Sequence, residues 1–141
     1  MATLNVDLSD LDAIQSKLPQ GKPIVMLNLL RFRADALYPD HGFEDLPKVS
    51  GREAYLTRHL PAFDRIASPL EDSHPLWLGT VLSQVVGPPD VHWDDIALIQ
   101  YENFALFRTI VESDAYASEA DPHRNAGLED WQLLALVPLE L

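Results

Sequence analysis

Pro23–Leu30 reads PIVMLNLL and Asp95–Tyr101 reads DIALIQY, and the succession of elements after each run decides the fold. Each apolar strand is succeeded by a helical stretch and then by a second strand. The resulting order is β-α-β-β-α-β, the ferredoxin-like arrangement. Both runs are apolar on alternate and intervening positions alike, as in a strand covered on both faces at the centre of a sheet. The ferredoxin-like order places strands one and three at that centre. Right-handed crossovers put both helices on one face. The expected class is therefore α+β, with helices on one face of the sheet. The opposite face still carries large apolar residues from every strand. An uncovered apolar sheet would exceed the few hundred Å² tolerated on a monomer, so a second copy packed sheet to sheet, a homodimer, is expected.

Outward from these strands the chain reads as one domain over 1–141, with a helical extension at 1–20 and a core at 23–138. Asp10 caps a short helix carrying Leu11, Ile14 and Leu18, and Pro19–Gly21 ends it. The stretch 32–49 lacks periodicity and is punctuated by Pro39, Gly42 and Pro47. A connection this long is either a lid or binding loop, or a surface insertion. Ser50 and Glu53 form a capping box. The helix it opens aligns Tyr55, His59, Ala62, Phe63 and Ile66 on one face. Pro61 predicts a kink or a new helix start near Leu60. Strand two is expected at Leu76–Val86, stopped by Gly87-Pro88-Pro89, with Gly79 marking a bulge. Asn103 caps a second helix, Asp121-Pro122 reads as N-cap and first residue of a further turn, and the last strand is expected at Trp131–Val137.

Composition excludes several classes. The chain has 141 residues, 47% hydrophobic, with 10 Lys+Arg against 22 Asp+Glu and a net charge of −12. This composition is that of a globular protein, and nucleic acid and anionic membrane are not expected partners. With no cysteine there is no disulfide or thiolate site. The N-terminal MATLNVDLSD has no basic segment followed by an apolar run, and no stretch approaches the roughly 20 apolar residues of a membrane span, so a soluble cytoplasmic protein is expected.

Candidate site residues are few. Asn28 interrupts the apolar run of strand one, where an amide either finds an internal partner or faces a pocket and orients a ligand oxygen. Arg31 and Arg33 leave that strand together and suit a carboxylate or phenolate, or local acidic side chains. Tyr55 and His59 lie one turn apart, as proton donor and acceptor or as packing groups. His123 comes just after the Asp121-Pro122 start, where backbone amides favour an anion; capping and packing against Trp131 is the other reading. Trp77 and Tyr101 are expected as pocket walls. No His/Asp/Glu spacing suggests a metal site and no glycine-rich loop succeeds a strand, so neither metal nor organic cofactor is expected.

PIVMLNLLRFR (23–33), SGREAY (50–55), the run Trp93–Tyr101, FALFRTIVES (104–113) and ADPHRNAGLED (120–130) together resemble a family of small bacterial domains of unknown function in the dimeric α+β barrel superfamily. The N-terminal segment and Ala67–Pro75 depart from its short form. The resemblance implies a dimeric barrel and adds weight to His123. Relatives in the superfamily include cofactor-independent monooxygenases, lactone isomerases, haem-dependent enzymes and members without known catalysis, so fold does not set activity. Two readings stand. In one, the protein is a cofactor-independent enzyme acting on a small aromatic or cyclic carbonyl compound, with Asn28 and Arg31 polarising an oxygen and His123 or Tyr55 moving a proton. In the other, it binds a small ligand or only dimerises.

Overall fold

β1 (Ile24–Phe32), β2 (Ser73–Thr80), β3 (Asp95–Tyr101) and β4 (Leu128–Leu136) form one sheet in the order β2-β3-β1-β4 in a computed structural model. The structure describes residues 8, 10–39, 41–70 and 73–140. Every neighbouring pair is antiparallel. The two-sided apolar runs occupy the centre, as their composition requires, and the fold is α+β and ferredoxin-like.

Register assigns the faces. Asn28 pairs with Ala97 on one side and Leu133 on the other, so these share a face with Met26 and Leu30. Ile24, Met26, Asn28 and Leu30 are all buried beneath the helices. The intervening Leu27 pairs with Leu98 and Leu134, and Leu98 pairs with Trp77. That second face is covered by no element among the described residues, and Trp77 on it is 56% exposed.

The helices begin where side-chain acceptors cap them. Asp10 Oδ1 accepts from the amides of Asp12 and Ala13 and opens α1 (Leu11–Gln15). Of the expected extension at 1–20, residues 1–7 and 9 lie outside the described residues. Ser50 Oγ accepts from the Glu53 amide at 3.1 Å and opens α2 (Gly51–Ala54). A π-helical turn (Tyr55–His59) then leads into α3 (Leu60–Ala67). Pro61 lacks the N–H that an α-helix would direct at Thr57, and the chain widens by one residue here, with Leu60 donating to the Tyr55 carbonyl. Asn103 Oδ1 caps α4 (Phe104–Val111) through the Leu106 amide at 2.8 Å. A second π-helical turn (Tyr116–Ala120) precedes α5 (Asp121–Gly127) and the proline at 122, with Asp121 donating to the Tyr116 carbonyl.

Three expectations shift. β2 starts at Ser73 and ends at Thr80, because β3 offers no partners beyond Asp95; after Val81 donates to Asp94, Leu82, Val85 and Val86 stand more than 90% exposed. The register slips between Pro75 and Trp77 rather than at Gly79, where the strand meets a proline unable to donate. Gly79 instead makes room for the Trp77 ring, which a Cβ there would strike. Asp121 is not an N-cap: the helix runs into it from the π-helical turn, so no free amides gather at His123.

α2 approaches the ends of β1 and α5 very closely. The Gly51 amide donates to the Arg33 carbonyl at 3.1 Å, and the Arg33 amide donates to the Gly127 carbonyl at 2.8 Å. A Cβ at Gly51 would lie under 3.0 Å from both carbonyl oxygens. This contact fixes where α2, and hence Tyr55, stands over the sheet.

Candidate functional site

Between the helices and the buried sheet face lies a cavity of about 480 Å³. Its floor comes from Met26, Asn28 and Leu30 of β1, Ala97, Ile99 and Tyr101 of β3, and Trp131 of β4. Its roof is the two π-helical turns and their neighbours: Tyr55, Leu56, His59 and Phe63 on one side, Phe107, Tyr116 and Arg124 on the other. Asp64, Pro75, Leu78 and Thr80 also line it and are exposed, so the mouth opens between α3 and the β2 edge. A site of this size, mostly apolar with a few polar groups, is what a small molecule requires.

The polar groups form a connected set. His59 Nε2 lies 3.4 Å from the Tyr116 hydroxyl, and the imidazole stacks on the Tyr55 ring with centroids 4.6 Å apart. Burial, with Arg124 and His123 adding repulsion, pushes His59 down to about 3, so its ring is neutral near neutral pH. Burial raises all three tyrosines; Tyr116 is pushed up to about 12, with Arg124 opposing the rise. They therefore hold their protons near neutral pH. Asn28 Oδ1 accepts from Trp131 Nε1 at 3.1 Å, and its Nδ2 donates to the Ala97 carbonyl at 3.3 Å. The Trp131 ring in turn lies 4.5 Å beneath the Arg124 guanidinium. Asp95 takes Arg52 at 3.2 Å and 3.1 Å on one oxygen.

Several of these groups are incompletely satisfied. Arg124 Nε and Nη1, His59 Nδ1 and Asp95 Oδ1 are buried with no hydrogen-bond partner among the described residues. Buried polar atoms are rarely left unpaired, and all four belong to residues lining the cavity.

Of the residues singled out in the sequence, Asn28, Tyr55, His59 and Tyr101 line the cavity. Arg31, Trp77 and His123 do not. Arg31 alternates away from Asn28 on β1 and pairs with Glu129 at 3.0 Å, so the two cannot polarise one oxygen together. Trp77 faces the uncovered side because the slip after Pro75 turns Leu78, not Trp77, toward the helices. His123 sits outside the cavity, its Nδ1 2.7 Å from the Tyr38 hydroxyl, with Phe43 against its ring. Arg58 donates to the same hydroxyl at 3.0 Å and to the Pro47 carbonyl at 2.6 Å. This cluster pins the 33–49 loop to the helices, and none of its described residues lines the cavity. Sequence reasoning misses Arg124, Tyr116 and Trp131 as cavity residues. A signal for the tyrosines is present: Tyr55 precedes Pro61 by the same spacing at which Tyr116 precedes Pro122. Among the described residues no group of three or more His, Asp or Glu side chains could hold a metal ion.

The chain is similar over 99% of its length to RPA0582 of Rhodopseudomonas palustris, a protein of unknown function, at 31% identity and TM-score 0.76, covering all of that chain. The chain belongs to the family of RPA0582. The methylated form of RPA0582 gives the same identity and TM-score and is covered to 98%. A DABB family protein with a ferredoxin-like fold (mll5499) from Mesorhizobium loti shares the fold at 12% identity and TM-score 0.51, covering 84% of this chain and 98% of that one. No protein-family model matches the chain, and no curated protein matches it significantly. The family is thus one of ferredoxin-like proteins of unknown function. No helix among the described residues is long and apolar enough to cross a membrane.

Proposed function

We propose that the protein takes a small aromatic or cyclic carbonyl compound into the cavity between its helices and sheet. The observation that carries this reading is the set of buried, unpartnered polar atoms on Arg124, His59 and Asp95 around an otherwise apolar space of about 480 Å³. Leaving such atoms unpaired costs roughly 1–3 kcal/mol each, and a ligand that supplies their partners recovers that cost on binding.

A cofactor-independent proton transfer is the second reading, and His59 and Tyr116 support it. With its one proton on Nε2, directed at the Tyr116 hydroxyl, the neutral imidazole leaves Nδ1 as a weakly basic acceptor with no partner among the described residues, and the tyrosine hydroxyl keeps a proton to donate to a ligand oxygen. Asn28 serves this site indirectly, because its amide is engaged by Trp131 and the sheet.

The cavity is tested by filling it. Ala97 lies on the floor beside Asn28, so Ala97→Phe should occupy the space while the sheet persists. Para-acetylbenzoate at about 100 times its Kd should raise wild-type stability by about 2.7 kcal/mol and leave the folded variant unmoved. Equal stabilisation of both would refute the site. Exchange of the probe's acetyl hydrogens in heavy water, lost in His59→Gln, supports proton transfer; no exchange above the buffer rate restricts the site to binding.

A further inference from the structure

We infer that the ligand carries a single carboxylate and that Arg124 holds it. The inference rests on the cavity being a ligand site and names the class of compound that fits it.

Arg124 is a buried cation with too few partners. Its side chain is 4% exposed, and a guanidinium keeps its charge at any ordinary pH. Nη2 is used: it pairs with Asp121 and lies 3.3 Å from Asn125 Oδ1. Nε and Nη1 have no partner among the described residues, which leaves their N–H donors unused. Enclosing a cation without full hydrogen bonding costs several kcal/mol, so such an arrangement persists where something else completes it.

The surroundings decide what completes it. The Trp131 ring covers one face of the guanidinium at 4.5 Å, so what remains to be completed is its in-plane N–H edge at Nε and Nη1. Asp95, also on the cavity wall, is engaged by Arg52, and Asp64 is exposed at the mouth, and neither completes Arg124 Nε or Nη1. His59 is neutral, so it adds no second positive charge. Asp121 meets the guanidinium only at Nη2 and is itself one-third exposed to solvent, so two N–H-bearing nitrogens remain for one further anionic group, and a dianion would add a second buried negative charge with nothing to pair it. The carboxylate is the monoanion whose oxygens fit guanidinium donors. The body of the ligand is flat and apolar, because Met26, Leu30, Phe63, Ile99, Tyr101 and Phe107 bound the rest of the space. The net charge of −12 opposes anions only at long range, where salt screens it beyond roughly 8–10 Å.

Two probes of the same shape separate the possibilities: para-acetylbenzoate and its neutral isostere para-acetylbenzamide. Their affinities are measured by calorimetry or NMR titration on the intact protein near neutral pH. The wild type should bind the carboxylate at least about tenfold more tightly, equivalent to about 1.4 kcal/mol. Arg124→Gln should abolish that preference, and Arg124→Lys should keep part of it. If the amide binds wild type as tightly as the carboxylate, the inference is wrong while the cavity stands. If Arg124→Gln keeps the full preference, the anion is held elsewhere and the inference is again wrong. If neither probe binds at about 5 mM, the ligand site and the inference fall together. The wild-type comparison needs no variant, so an unfolded Arg124→Gln leaves the inference open to refutation.

Discussion

His59 shows most clearly how burial sets the chemistry of a single side chain. Its ring is enclosed between Tyr55 and Tyr116, and Arg124 repels any added proton, so the folded form stays neutral down to about pH 3. An unfolded histidine accepts a proton near 6.5. Between those values the unfolded chain binds the extra proton, so stability from this group rises with pH and is lost as pH falls through the window. The slope it adds approaches about 1.4 kcal/mol per pH unit. Urea unfolding across this window should therefore give a steeper pH dependence for wild type than for His59→Gln. Equal slopes would mean that His59 titrates normally and is not enclosed. Residue assignments are only partly legible in the sequence. Asn28 and Tyr55 are readable from periodicity. Sequence favours His123 because Asp121-Pro122 resembles a helix start, yet the helix enters Asp121 directly from the π-helical turn, and Arg124 takes the cavity position. A one-residue widening rotates every later side chain by about 100°, and its trace in the sequence, a tyrosine six residues before a proline at 55/61 and 116/122, becomes readable only beside the structure.

At the scale of elements, β1 and β3 are legible because their runs are apolar at successive positions, as the central strands of the sheet are. β2 is not, because its apolar run continues past Thr80 into residues that have no partner strand among the described residues. Leu82, Val85 and Val86 lie there, each above 90% exposed. They follow β2 in sequence, and its Trp77 shares the uncovered sheet face with Leu27, Leu98 and Leu134. We propose that a second copy covers this face, giving a homodimer. Leu98→Asp places a carboxylate at its centre without touching the cavity side. Sedimentation should then show wild-type dimer at micromolar concentration and a folded monomer for the variant. A wild-type monomer at that concentration, or a variant that dimerises as well as wild type, would contradict the proposal.

For the whole molecule, the order of elements is legible because it depends on pattern and connection rules, whereas the cavity depends on how two curved helical segments meet over the sheet. The close contact of Gly51 with Arg33 and Gly127 sets that meeting, and neither glycine declares its neighbour in sequence. The central claim is that the space so created is a ligand site. Met26 offers a direct reporter: it lies on the cavity floor, and Met1 is the only other methionine. The methyl groups of both are labelled with carbon-13 and observed by NMR while para-acetylbenzoate and its amide are titrated in turn. The Met26 signal should shift and show Overhauser contacts to the ring of the bound probe. A Met26 signal that neither compound moves, at concentrations up to about 5 mM, would contradict it.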